Sequence, residues 1–309
     1  MRVLITGASG FVGRWLTSAM TDAGHEVLDA GDLDVTEPDD VADALTELAP
    51  DAVAHLAAVA FAPDAAGDPG HAFAVTVGGT VNVLEGMRRM DRRPALLVTG
   101  SSEVYGAPRP EDLPLRETAP LRPATAYAIS KAGQESAALA YAAREGLGLV
   151  VTRSFNHAGP GQRPVFVIPA LAGRVRAAAR GEAETIPTGN LDVRRDLTDV
   201  RDVVDAYRRL LEGLHDGTLP RGGIVVNVCS GHAVAIRAIL EELCRLAGVD
   251  PEVVADPSLV RPDDPAEIRG DATRVERLID WRATTPLSQT LADVWASVVK
   301  AAPVAHAAR

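Results

Sequence analysis

The feature that most restricts this chain is the alternation of short apolar runs with longer segments of helical spacing. VLIT (3–6), VAHLAA (53–58), LLVTGSS (96–102), LVVTRSFN (149–156) and IVVNVCSG (224–231) are apolar and β-branched over consecutive positions, not at every second one. A strand apolar on both sides must be covered on both sides, as in a parallel sheet with helices on each face. The segments 11–22, 38–49, 71–90 and 127–145 carry helical spacing. Strand alternating with helix predicts an α/β fold built on a doubly wound parallel sheet.

The regularity weakens after residue 155. Pro and Gly become dense in 159–169 and 251–270, and helical segments follow at 168–181, 200–213, 234–247 and 288–299. We expect residues 1–155, which open on the glycine-rich strand-to-helix segment VLITGASGFVGRWL (3–16), to form a dinucleotide-binding domain. Residues 156–300 are then mainly a smaller substrate-binding lobe, with a strand near 224–229 returning to the main sheet. Residues 301–309 read as a tail. A chain of 309 residues, 47% hydrophobic, has enough apolar surface for such a core. Its formal charge of -11 argues against a nucleic-acid partner, which needs a basic face. The two cysteines, Cys229 and Cys244, form no metal-ligand pattern. No long apolar run predicts a membrane span, and the expected location is cytoplasmic.

The first strand runs into VLITGASGFVGRWL, with Gly7, Gly10 and Gly13 between strand and helix. Glycines permit a tight turn, let the backbone approach a pyrophosphate and let helix and strand pack closely. The helix N-terminus then faces the phosphate charge. The second strand, EVLDA (26–30), ends near Asp29 and Asp32, and no Lys or Arg lies from 15 through 87. An acidic side chain there binds a ribose 2′-hydroxyl and repels a 2′-phosphate, which favours NADH over NADPH. The two carboxylates read equally well as a solvated loop. Arg14, directly after the motif, keeps a phosphate contact open.

YAISK (127–131) places Tyr127 and Lys131 four residues apart, on one helix face. An ammonium beside a phenol favours the phenolate, so the tyrosine should exchange a proton near neutral pH. Alone the pair is common. Upstream, LLVTGSSEVYG (96–106) brings Ser101 and Ser102 to the carboxyl edge of the sheet, where ligands bind. A hydroxyl there can hold a carbonyl oxygen as charge develops on it.

Together these residues resemble the extended short-chain dehydrogenase/reductases, the NAD-dependent epimerase/dehydratase family with a Rossmann sheet, over essentially the whole chain. Counting four back from Tyr105 in SSEVYG picks Ser101 as the family's catalytic hydroxyl. SFNHAGPGQRPVFVIP (154–169), GNLDVRRDLTDVRDVVDAY (189–207), VNVCSG (226–231) and RPDDPAEIRGD (261–271) resemble the branch that reduces GDP-4-keto-6-deoxymannose to GDP-rhamnose. They resemble the GDP-mannose 4,6-dehydratases less closely.

The resemblance implies a nucleotide-sugar substrate, GDP-linked by preference, and NADH or NADPH as cofactor. It implies a catalytic set of Ser101, Tyr127, Lys131 and Glu103. Glu103 reads either as structural or as the proton-abstracting base of a dehydratase, because both branches carry it. Gly7, Gly10, Phe11, Val12, Gly13 and Asp29 would contact the cofactor, with Asp34, Val35, Leu56, Ala57 and Ala58 beside it and Lys131 on its ribose. Ser102, Asn156, Val167, Asn190, Arg195, Arg261 and Asp264 would line the substrate. Guanidinium forks suit a diphosphate, and Asp264 would accept a ribose hydroxyl. A 4,6-dehydratase or 4-epimerase with tightly held NAD is the competing enzyme; a non-catalytic dinucleotide sensor is the competing class. Thr76 stands where the family usually carries Asn, which puts the support of the active-site helix in question. The run AGQESAALAYAA (132–143) is small and apolar on more than one face, which predicts a homodimer through 127–145 and 71–90.

Overall fold

The structure is a computed structural model that describes residues 1–260 and 264–300. The first half runs β1 (Arg2–Thr6), α1 (Phe11–Asp22), β2 (Glu26–Leu28), α2 (Pro38–Leu48), β3 (Ala52–His55), α3 (Ala62–Gly67), α4 (Pro69–Phe73), α5 (Gly79–Arg89), β4 (Ala95–Thr99), α6 (Ala126–Glu145) and β5 (Leu149–Ser154). There follow β6 (Asn156–Ala158), α7 (Val167–Ala179), β7 (Thr185–Thr188), β8 (Arg194–Asp199), α8 (Val200–His215), β9 (Ile224–Val228), β10 (Ala233–Ala235), α9 (Ile236–Ala247), β11 (Glu252–Ala255), β12 (Glu267–Ile268), α10 (Thr273–Ile279) and α11 (Leu287–Lys300).

Six strands form one parallel sheet in the order β2-β1-β3-β4-β5-β9. Their apolar runs are buried on both sides. Val3, Ile5, Leu97, Val150 and Val226 meet Leu16 and Met20 of α1 and Val203, Tyr207 and Leu210 of α8. Leu4, Val53, Leu96, Val98 and Val151 meet α2, α5 and α6 through Val41, Leu45, Leu84, Met87 and Ala138. Each such aliphatic side chain contributes about 1.5–3 kcal/mol on burial, so the two layers clamp the sheet between them.

A second core lies among α7, α9 and α11, around Leu171, Val175, Ile239, Leu243, Leu291 and Val294. Beside it β10, β8 and β12 pair in that order, with β6 also on β8. The chain crosses between the two cores more than once. β8 belongs to the small sheet, whereas the helix that follows it, α8, packs on the main one. Asp199 caps α8 by accepting from the Arg201 amide at 2.8 Å.

Two elements differ from their sequence reading. The run 53–58 stops being a strand at His55, and residues 56–58 turn away. There the Ala57 backbone packs closely on Gly7: a Cβ on Gly7 would lie 2.9 Å from Ala57 N. The continuous helix expected over 71–90 is divided into α4, a π-turn at Ala74–Gly78 and α5. A π-turn holds one residue more than an α-turn and shifts the face presented on either side.

Candidate active site

In a parallel sheet every carboxyl end lies at one edge. The segments after β1, β3, β4 and β5 therefore collect there: Gly7–Gly13, Leu56–Ala58, Ser101–Glu103 and Asn156–His157.

Gly7 adopts a left-handed φ of +72°, which a glycine takes without strain. A Cβ on Gly13 would lie 2.2 Å from Gly7 O and 2.6 Å from Ala8 O, so only glycine lets α1 start this close to the loop. Gly10 is the N-cap of α1 and provides no side-chain cap, and the first turn has no acidic residue. The Phe11 and Val12 amides begin a helix whose first N–H groups have no intrahelical acceptor. This is a cradle for an anionic pyrophosphate, and a dinucleotide fits it. Asp29 is exposed just beyond β2 and accepts from the Gly31 amide at 2.8 Å. Asp34 accepts from the Thr36 amide and hydroxyl, which hold its carboxyl below its ordinary range. Val35 is buried against Gly79.

Arg14 donates to Ser9 O and, at 3.2 Å, to Gly161 O, so its guanidinium ties the glycine loop to the segment after β6. Trp15 donates to Pro160 O at 3.2 Å in the same seam. The Phe11 ring stacks on His157, with centroids 6.2 Å apart and planes 7° apart. His157 was not singled out by its sequence, although it sits inside the FNHAGPGQ motif.

Ser101 and Tyr127 are brought together at the sheet edge, with the Ser101 hydroxyl near enough to the Tyr127 phenol to favour its ionised form. Ser101 Oγ also accepts from the Glu103 amide at 3.2 Å. Ser102 is buried at the head of the short helical turn Ser102–Tyr105. Thr125 caps α6, accepting from the Ala128 amide at 3.1 Å, which sets where Tyr127 begins its turn. Farther along α6, Glu135 forks onto Arg153 of β5 with Nε–Oε2 at 2.9 Å, both side chains buried, and Arg153 also donates to Tyr105 Oη at 3.0 Å. This brace fixes α6 against the sheet.

The expected lowering of the phenol by the ammonium is corrected here. Burial pushes Tyr127 well above its ordinary value, and the Glu103 carboxylate pushes it the same way; Ser101 opposes them. Lys131 instead donates to Thr99 O at 2.7 Å and to Gln134 Oε1 at 3.0 Å. Burial pulls Lys131 down to about 7. Tyr127 is thus a held acid rather than a ready phenolate.

The residues assigned to the substrate are spread over the second lobe. Asn156 is exposed at the start of β6, opposite Leu197 of β8. Val167 is 37% exposed at the first position of α7. Asn190 is exposed and its side chain accepts from the Asp192 amide at 3.0 Å, forming a local turn. Arg195 is buried in β8; it pairs with the Asp264 carboxylate and donates to Pro265 O at 2.9 Å. The two residues, each expected to face the substrate, are thus paired with one another, and Arg195 also anchors the 264–265 loop. Arg194 lies on the surface and pairs with Glu267 at 3.2 Å. Arg261 lies outside the described residues. Among the described residues no group of His, Cys, Asp and Glu is placed to hold a metal, and no helix is long and apolar enough to cross a membrane.

Three comparisons bear on this geometry. Residues 3–229 match the model of the NAD dependent epimerase/dehydratase family. The chain is 35% identical to GDP-6-deoxy-D-mannose reductase of Pseudomonas aeruginosa, over 97% of this chain and 98% of that protein. It is 29% identical to GDP-6-deoxy-D-talose 4-dehydrogenase of Aggregatibacter actinomycetemcomitans, over 92% and 94%. The solved structure of RMD from Pseudomonas aeruginosa complexed with NADPH superposes with a TM-score of 0.89 at 34% identity, covering 96% of this chain and 98% of that one.

Proposed function

The chain belongs to the NAD dependent epimerase/dehydratase family, and from that premise we propose that it reduces the 4-keto group of a GDP-linked 4-keto-6-deoxyhexose. The substrate we assign is GDP-4-keto-6-deoxymannose and the product GDP-rhamnose. The observation that carries this reading is the juxtaposition of Ser101 and Tyr127 beside Lys131, at the sheet edge that also holds the glycine cradle. Two relatives named for GDP-6-deoxy sugars support the nucleotide and the sugar class.

Gly7, Gly10 and Gly13 with the α1 amides would hold the pyrophosphate, and Lys131 the ribose next to the nicotinamide. When bound, a reduced nicotinamide would supply hydride to the carbonyl carbon. Ser101 receives the Glu103 N–H, so its own proton is available to the carbonyl oxygen as that oxygen gains charge. Tyr127, kept protonated by burial, delivers the proton that completes the alcohol. Arg195 with Asp264 would shape the loop over the diphosphate, away from the reacting carbon.

We favour NADH. Asp29 and Asp32 are exposed after β2, and a carboxylate there disfavours a 2′-phosphate. We also assign a homodimer through α4 and α6, which leave Phe73 39% and Ile129 44% exposed.

The test is direct. The chain is incubated with GDP-4-keto-6-deoxymannose and NADH or NADPH, cofactor absorbance is followed, and the sugar is identified by NMR. One reduced cofactor should be consumed per sugar, faster with NADH, and GDP-mannose alone should give no product. Conversion of GDP-mannose to a 4-keto sugar without added reduced cofactor would refute the reading and make Glu103 the base to examine.

A further inference from the structure

Lys131 is held by more than the four-residue spacing from Tyr127. An ammonium has three donors and no acceptor. One donor goes to Thr99 O at 2.7 Å and one to Gln134 Oε1 at 3.0 Å. Gln134 is fully buried, one turn after Lys131 on the same face of α6. Its amide nitrogen donates to Thr80 Oγ1 at 2.8 Å.

The direction of every bond in this group follows from proton counting. The Thr80 hydroxyl spends its single proton on Thr76 O at 2.7 Å. It can therefore only accept from its other two partners, Gln134 Nε2 and, at 2.9 Å, His55 Nε2. His55 then carries its proton on Nε2 and accepts at Nδ1 from the Thr6 hydroxyl at 2.8 Å. Burial pulls His55 down to about 3, so this neutral tautomer persists through the physiological range. The Gln134 amide is left with one orientation: nitrogen to Thr80, oxygen to Lys131. The Thr76 hydroxyl is buried without a hydrogen-bond partner among the described residues, so the π-turn gives this group a backbone carbonyl and no side-chain acceptor.

From this chain of contacts we propose that Gln134 is a positioning residue for Lys131: its carbonyl, oriented through Thr80 and His55, stabilises the ammonium and leaves the third N–H for the cofactor ribose. The catalytic consequence rests on the reductase reading; the contact itself does not. Three titratable groups face this part of the site. His55 of β3 is uncharged. Tyr127 lies on α6 itself. Glu103, on the turn after β4, acts on Tyr127. Gln134 is thus the side-chain acceptor that decides whether burial strips the proton from Lys131.

The chain has only two lysines, Lys131 and Lys300. Labelling lysine with carbon-13 at Cε gives two signals, whose titration NMR reads directly, without turnover. In the folded, cofactor-free chain Lys131 should titrate well below Lys300. Gln134→Met removes the acceptor and should lower the Lys131 titration by about one pH unit or more, the worth of a hydrogen bond to a charge. Gln134→Glu should raise it by about a unit or more. The basic limb of kcat should move with it, down in the first variant and up in the second. Circular dichroism establishes that each variant is folded. If the Lys131 signal stays within about 0.2 unit in whichever variant folds, the proposal is overturned. Opposite shifts in a chain that turns over no 4-keto sugar would support the positioning role and overturn the reductase reading instead.

Discussion

Replacing Tyr127 with Phe removes one oxygen and keeps the ring that fills the start of α6. In the folded chain that oxygen has two tasks. It faces the Ser101 hydroxyl, and in the proposed reaction it is the acid. The lost polar contact costs at most about 0.5–1.5 kcal/mol of stability, partly offset because a phenol hydroxyl no longer needs desolvating. The chain should therefore stay folded. The lost acid should cost at least about 100-fold in kcat, equivalent to about 2.7 kcal/mol of transition-state stabilisation. The glycine cradle and Lys131 are untouched, so cofactor affinity should change by less than about threefold, or about 0.65 kcal/mol. Cofactor binding is measured by fluorescence titration, turnover by cofactor absorbance and stability by thermal melting. A variant that retained more than about a tenth of the activity would refute the proton-donor role, since acid catalysis is typically worth about 100-fold or more.

Three further outcomes are expected. Arg195→Ala should raise KM about tenfold or more and change kcat by less than about threefold, because a contact remote from carbon 4 acts as uniform binding; steady-state kinetics read it. Lys131 has a folded value of about 7, below its unfolded value of 10.5. Between these the unfolded chain binds more protons, so stability should rise as pH increases from about 7 towards 10.5, and the destabilisation should be fully present below 7. Melts of the cofactor-free chain across that range should show the rise, and the Lys131→Met variant should lack it. Sedimentation at micromolar concentration should show a dimer, and Ile129→Glu, at an exposed position of α6, should shift it to monomer; a monomeric wild-type chain would refute the interface.

Much of this site was legible in the sequence because its signals are local. Apolar runs declare strands covered on both faces, glycines at 7, 10 and 13 declare a close turn, and a four-residue spacing puts Tyr127 and Lys131 on one face. Each follows from backbone geometry over a few residues. What only the tertiary structure decided lies between residues distant in the chain. Thr6 meets His55 across 49 residues, and Thr80 meets Gln134 across 54. These meetings exist because β1 pairs with β3 and α5 packs on α6. Gln134 stands three residues after Lys131, but nothing in that spacing orients its amide; the proton of Thr80, committed to a backbone carbonyl, does that. Arg195 and Asp264 were legible as charged loop residues, yet their mutual pairing needed β8 and the 264–265 loop in place. The Tyr127 shift is also opposite in direction to the one its spacing from Lys131 suggests, because spacing locates a charge whereas desolvation depends on everything packed around it.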